Sequence, residues 1–240
     1  MPEAASGERI LVVGPSWVGD MVMAQSLFKT LKTRQPGAYI GVVAPAWSRP
    51  ILERMEEVDE VAPLEVGHGE FGWATRRRLA GELRGRFDRA LVLPRSWKSA
   101  LVPFLARIPH RTGFTGEQRY GLLNDRRRLD KSVLDQTVKR FVALGLSADE
   151  AERGDFMLPR PELRRDTANL ERLRETLGLS TRPAIAMMPG AEYGPAKQWP
   201  LPYFRELAEA LVARGHEVRV LGAQGCCGWR QDRRGARGGA

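Results

Sequence analysis

The chain has 240 residues, 42% hydrophobic and 28% charged, enough apolar material for a packed core and enough charge for solubility. No apolar run approaches the roughly 18 residues of a membrane span, and Met1–Glu8 is too polar for a signal peptide, so a cytoplasmic protein is expected. The net charge of +9 suits an acidic partner. No nucleic-acid recognition motif is present and the aromatics are not interleaved with the basic runs, which leaves an anionic membrane surface as the better match.

Arg9–Val13 is a short apolar run rich in β-branched residues and predicts a buried parallel strand. Ala24, Leu27, Phe28 and Leu31 follow at helical spacing, so Gly14-Pro15-Ser16-Trp17-Val18-Gly19-Asp20-Met21 is a strand-to-helix turn. It is not a P-loop, because Asp20 and Met21 stand where Lys and Ser or Thr are needed, and a carboxylate there repels phosphate. Nor is it a dinucleotide fingerprint, because Ser16 takes the place of the middle glycine. Two readings of Asp20 stand side by side: a helix N-cap, or a functional carboxylate at the strand carboxyl ends, where open α/β sheets bind their ligands.

Ala38–Ala44 predicts a second strand, and Val61–Leu64 an edge piece, since Pro63 cannot donate to a ladder. Arg76–Arg86 reads as a helix, Arg89–Pro94 as a buried strand, and Ser96 as the cap of a helix through Leu105. Arg111–Phe114 is a short strand, and Asp135–Leu144 a helix with Val138, Phe141, Val142 and Leu144 inward. Pro159 and Pro161 break a hinge region from Gly145 to about Arg182, which ends in a polar helix over about Glu162–Leu177. A strand at Ala184–Met188, a helix at Tyr203–Arg214 and a strand at Glu217–Leu221 follow. The alternation predicts an α/β fold with a parallel sheet covered on both faces. The runs Arg76-Arg77-Arg78 and Arg126-Arg127-Arg128 read as solvated faces. His68, His110 and His216 are scattered, and Cys226 and Cys227 are adjacent, so no metal site is expected.

Six stretches occur in order: Gly14–Leu27 (GPSWVGDMVMAQSL), Ala44–Trp47, Val92–Leu101, Ile108–Gly113, Arg119–Asp125 and Pro189–Pro200. Together they resemble the lipopolysaccharide inner-core heptosyltransferase II family, from about Arg9 to about Gly222. The resemblance implies the GT-B architecture, two Rossmann-like domains with the active site in the cleft between them. It implies transfer of L-glycero-D-manno-heptose from ADP-heptose to the first heptose of the lipopolysaccharide inner core. It also implies inversion by single displacement, no required cofactor or metal, and peripheral attachment to the cytoplasmic face of the inner membrane.

By the same resemblance Asp20 is the catalytic base. Lys197 contacts donor phosphate, against the alternative of a surface lysine near a helix start, where a cation is unfavourable unless an anion is bound. Gly190, Glu192 and Tyr193 lie in the segment between a strand and the next helix, the usual phosphate position of a Rossmann-like half. Trp199-Pro200 reads as helix-start packing. Acceptor contacts are expected from Arg95, Ser96, Lys98 and Arg111, read as standing at or just after strand ends, where fork-shaped guanidiniums suit sugar acids and phosphates. Ordinary surface salt bridges are the alternative for them. Ser16 and Trp17 line the sugar site or serve packing.

The expected organisation is a flexible start at 1–8, an acceptor-binding Rossmann-like domain at 9–146, a linker and helix at 147–182, the opening of a donor-binding domain at 183–222, and a tail at 223–240. Two complete domains need on the order of 300 residues. Gly225–Ala240 has no apolar period and is dominated by Gly and Arg. Arg230, Arg233, Arg234 and Arg237 against Asp232 give the last 15 residues a surplus of +3, leaving about +6 elsewhere. An out-of-frame end from about Ala223 is the reading adopted, a natural basic tail its alternative. A half-built second sheet would leave an open hydrophobic edge. The function alternatives are an inactive remnant unable to hold ADP-heptose and a related transferase using another nucleotide sugar.

Overall fold

The computed structural model describes residues 7–66, 70–190 and 195–222. The chain forms two compact units, one up to Asp166 and the other from Thr167. In the first, β1 (Arg9–Val13) leads into α1 (Val18–Arg34), followed by β2 (Tyr39–Pro45), α2 (Arg49–Leu52), β3 (Glu60–Leu64) and α3 (Trp73–Leu83). Then come β4 (Arg89–Val92), a 3-10 turn at Trp97–Ala100, α4 (Leu101–Leu105), β5 (His110–Phe114), β6 (Asp125–Arg127), α5 (Thr137–Leu144) and α6 (Ala148–Arg153).

The six strands form one sheet in the order β3-β2-β1-β4-β5-β6, parallel throughout. Successive side chains of a strand point to opposite faces. In β1, Ile10 and Val12 therefore join the cluster under α1 and α5, with Leu27, Phe28 and Phe141, while Leu11 joins Leu79, Leu83 and Val102 on the other face. Both faces being covered, the strand reads as a continuous apolar run. β3 lies at the edge, as Pro63 demands. In the second arginine run Arg126 and Arg128 are exposed, as read, but residues 126–127 belong to strand β6 paired with β5, and the half-buried Arg127 guanidinium donates to Ala143 O at 2.7 Å.

The turn after β1 is shaped by contact. A Cβ on Gly14 would stand 2.8 Å from the Met21 methyl and 3.4 Å from Val42, so glycine leaves room for the end of the Met21 side chain at this turn. Gly14 N–H also donates to Val43 O, at 2.8 Å.

The expected linker at 147–182 is divided between the units. Ser147 caps α6 through a reciprocal capping box with Glu150, and Arg34 grips the Glu150 carboxylate with two nitrogens, at 2.6 and 3.1 Å. The following strap returns along α1. The buried Gln25 donates to Glu162 O and to the Glu57 carboxylate, and its amide oxygen accepts from Glu162 N–H, at 2.8–2.9 Å. Ser26 donates to Pro159 O at 2.6 Å, and Arg164 N–H to Arg54 O at 2.8 Å. These bonds satisfy the polar backbone of a segment without regular structure.

The second unit contains α7 (Thr167–Leu177), β7 (Ala184–Met187), a 3-10 turn at Pro195–Lys197, α8 (Leu201–Ala213) and β8 (Glu217–Val220). β7 and β8 form a two-stranded parallel sheet. Neither helix buries a residue; Leu173, Leu207 and Val212 stay exposed. The expected flexible start lies largely, and the tail from Ala223 wholly, outside the described residues.

Replacing Gln25 with Leu should remove its two bonds to the strap and its bond to Glu57, and leave the Glu162 amide unpaired. A loss of about 2–3 kcal/mol in unfolding free energy is expected, with new protease cleavage at 155–166. The Arg34 and Ser147 bonds hold the Glu150 carboxyl at about 2, below its ordinary 4.5. A depressed carboxylate contributes stability above its unfolded value and loses it as pH falls through the folded one. Glu150→Gln should therefore melt below the parent at pH 7, the gap closing as pH falls from 4.5 towards 2.

Candidate active site

The carboxyl ends of the parallel strands bring together the turns after β1, β4 and β5. Pairing of β1 with β4 runs to the edge, where Leu93 N–H donates to Val13 O at 3.1 Å, so the 14–20 and 93–99 segments leave the sheet side by side. Ser16 and Trp17 are exposed on the first of these. Asp20 does not cap α1: Trp17 occupies the N-cap, without a side-chain capping bond, and Asp20 is the third helical residue. Its carboxylate is half-buried in the first turn, where the helix dipole favours negative charge. No described hydrogen bond or ion pair engages that carboxylate, leaving it available to a ligand.

The β4 turn is held by two buried arginines that the sequence does not betray. Arg76, in a run read as solvated, is 6% exposed and donates to Phe71 O at 2.8 Å and to Lys98 O at 3.1 Å. Arg119 is 3% exposed. It donates to Pro94 O at 2.7 Å, Phe114 O at 2.5 and 3.1 Å, and Ser96 O and Ser99 Oγ at 3.4 Å. One guanidinium thus ties the β4 turn to the β5 turn, using the planar fork that a lysine lacks. The oxygens that hold both groups are neutral. Burial lowers Arg76, and burial with the nearby Arg95 charge brings Arg119 down to about 10 against the opposing pull of Glu117. Both stay cationic at neutral pH and give this edge a positive potential.

Arg95 is exposed, and its guanidinium reaches Thr115 O at 3.4 Å. Ser96 stands at the N-cap of the 3-10 turn but makes no capping bond; the expected single helix from Ser96 to Leu105 is that turn followed by the short α4. Lys98 is half-buried beside it. Glu117 accepts from Trp97 N–H at 3.0 Å, and Glu117 and Gln118 both adopt left-handed backbone angles, a local strain that the bonds of this loop sustain.

Arg111 does not join this cluster. It is the second residue of β5, paired with Ala90 at the amino end of the sheet. Its side chain donates to Leu122 O at 2.8 Å and to Ile108 O at 2.5 Å, packs over the Phe104 ring, and has its ordinary basicity lowered by burial. Spacing placed it by a strand end without telling which end.

In the second unit, Gly190 is exposed just past β7, and the exposed Lys197 closes the 3-10 turn before α8. Trp199 stacks on Tyr203 at 5.7 Å and meets Phe204 edge-on at 4.8 Å, with Pro200 as the N-cap of α8, the helix-start packing expected. Glu192 and Tyr193 lie outside the described residues. Among the described residues no group of three or more His, Cys, Asp or Glu is placed to share a metal ion.

Residues 76–227 match the profile of Glycosyltransferase family 9 (heptosyltransferase). Lipopolysaccharide heptosyltransferase 2 of Salmonella typhimurium is 50% identical over 221 residues, 90% of this chain and 63% of that protein. The solved E. coli ADP-heptose lps heptosyltransferase II is 48% identical with a TM-score of 0.78, over 90% of this chain and 64% of that one. E. coli heptosyltransferase WaaC, solved with ADP, shares the fold at 21% identity and a TM-score of 0.66, over 88% of this chain and 67% of that one. The chain thus spans a little under two thirds of the length of its nearer relatives among these, and its α/β fold is that of GT-B glycosyltransferases. On the strength of the profile match and this likeness, the chain belongs to glycosyltransferase family 9, the heptosyltransferases.

Proposed function

We propose that this chain carries the acceptor-binding half, and part of the donor-binding half, of an inverting transferase. It would move L-glycero-D-manno-heptose from ADP-heptose to the first heptose of the lipopolysaccharide inner core. The observation that carries the reading is Asp20: a half-buried carboxylate on the first turn of α1, in the turn that follows β1 at the carboxyl edge of the sheet, in a chain half identical to a lipopolysaccharide heptosyltransferase.

In the reaction an acceptor hydroxyl oxygen attacks the anomeric carbon as the bond to the ADP phosphate breaks. The hydroxyl proton passes to Asp20, late, as the oxocarbenium-like centre forms. The departing diphosphate takes the bonding electrons and is stabilised by Lys197 and by backbone donors after β7 near Gly190. Glu192 and Tyr193 belong to that donor segment in the same reading. No metal or organic cofactor enters this scheme. Ser16, Trp17, Arg95, Ser96 and Lys98 are assigned to the anionic acceptor, with Arg119 and Arg76 holding their loops. Arg111 is left out of the acceptor set. The acceptor is an amphiphile, so the enzyme works as a peripheral protein at the cytoplasmic face of the inner membrane.

A second reading, a remnant without donor affinity, is favoured by one observation: the helices of the second unit bury nothing. Titration of the 240-residue chain with ADP separates the two; saturable binding supports the enzyme, and its absence supports the remnant.

In a transfer assay Asp20→Asn should lower kcat by about 100- to 10,000-fold with ADP binding kept; near-normal turnover would exclude Asp20 as the base. Arg119→Lys should raise the acceptor KM about tenfold or more, because one ammonium cannot span the β4 and β5 turns, with kcat changed less. Equal loss in both constants would place Arg119 in the chemical step instead.

A further inference from the structure

A Schellman turn closes α4: Ile108 N–H donates to Pro103 O at 3.1 Å, and Arg107 N–H to Phe104 O at 3.0 Å. Such a turn needs one left-handed residue, and Arg107 supplies it with a φ of +58°. Glycine takes that conformation without steric cost. This chain uses it just after α3, α6, α7 and α8, as Gly85, Gly154, Gly178 and Gly215. After α4 an arginine carries the strain instead. The backbone does not ask for that side chain, so the reason for it lies in what the guanidinium does.

Arg107 lines an open cavity of about 480 Å3 together with Arg84, Phe104, Leu105 and Arg111. The cavity sits at the amino edge of the sheet, the edge opposite Asp20. Arg111 pairs with Ala90 there, and Arg84, just after α3, reaches Leu105 O at the end of α4, at 3.2 Å. The Arg111 guanidinium gives Nε to Leu122 O and one terminal nitrogen to Ile108 O. Its other terminal nitrogen has no protein acceptor among the described residues. Phe104, 41% exposed, offers its ring to the same guanidinium.

The acidic neighbours of this edge are committed elsewhere. Glu60 holds Arg86 at 2.7 Å, Glu8 holds Arg89 at 3.2 Å, and Asp88 accepts from Arg9 N–H at 2.8 Å. Among the described residues no carboxylate lines the cavity or pairs with Arg84, Arg107 or Arg111. The partial negative charge at the helix ends favours a cation there, but Arg84 answers it from an unstrained backbone. Three guanidiniums around one cavity repel one another until an anion joins them.

We infer that this cavity is a binding site for a soluble oligophosphate anion, its di- or triphosphate group held between Arg84, Arg107 and Arg111. Guanidinium forks match phosphate oxygens, and several are needed to neutralise adjoining phosphate groups. The volume exceeds what a lone phosphate would fill and lies in the range of small-molecule sites. Because the cavity is at the far edge of the first unit from Asp20, it is a site additional to the proposed transfer and independent of it.

The test titrates the 240-residue chain with inorganic pyrophosphate at low salt, followed by calorimetry and by melting. Saturable binding that raises the melting temperature is expected. Arg107→Gly should melt about 2–4 °C above the parent without ligand, because glycine relieves the left-handed strain, yet bind pyrophosphate about tenfold or more weakly. Arg84→Gln should weaken binding without raising the melting temperature. Lys197→Gln should bind as the parent does, which separates this cavity from the donor segment of the second unit. No saturable binding, or equal affinity of parent and Arg107→Gly, would overturn the inference. So would binding lost in Lys197→Gln and kept in Arg107→Gly, or an Arg107→Gly chain that melts below the parent, which would make the arginine a structural residue.

Discussion

A strand that ends at a binding edge leaves carbonyl oxygens behind it, and each must find a donor or face the cost of burial unpaired. After β4 two buried guanidiniums supply those donors. Arg119 takes the Pro94 and Ser96 carbonyls and the Ser99 hydroxyl from one side and the Phe114 carbonyl from the other, and Arg76 takes the Lys98 carbonyl together with that of Phe71. Burying cations on neutral oxygens is expensive. The field they leave at the carboxyl edge is what an anionic acceptor would offset, so the device that shapes the loop also prepares its electrostatics.

Much of the first unit was legible because its physics is local. β1 reads as a strand because both its faces are covered, and α1 because its apolar residues recur at the helical period. Arg76 and Arg119 were not legible, since an arginine in a basic run and one between Gln and Tyr look solvated until tertiary carbonyls converge on them. The end of the sheet at which Arg111 stands is likewise fixed by register with Ala90. β6 was missed because Asp125-Arg126-Arg127 has no apolar period and is a strand only through its pairing with β5. The strap at 155–166 looked like a linker because its partners, Gln25 and Ser26, lie more than a hundred residues away in sequence.

The second unit obeys the same rules with less to work on. β7 and β8 pair in register, yet only Met187 and Pro189 are buried among its described residues, and the apolar residues of α7 and α8 are exposed or at most half-buried. Helix formation by itself is marginal without a packed face. The helical period of Leu170, Leu173 and Leu177 thus specifies a face for which this unit's two-stranded sheet provides no cover.

Helix α1 explains why a carboxylate in its first turn can be placed so firmly. Met21 closes the turn under Gly14, Gln25 and Ser26 hold the strap, and Arg34 clamps Glu150 at the far end. The helix is thereby fixed along its whole length, against the sheet on one side and the returning chain on the other. A base on a loop would sample many positions and lose much of the advantage of proximity. A carboxylate on the first turn of a helix tied at both ends inherits the rigidity of the sheet, and Gly14 leaves room for the Met21 side chain that packs beneath that turn.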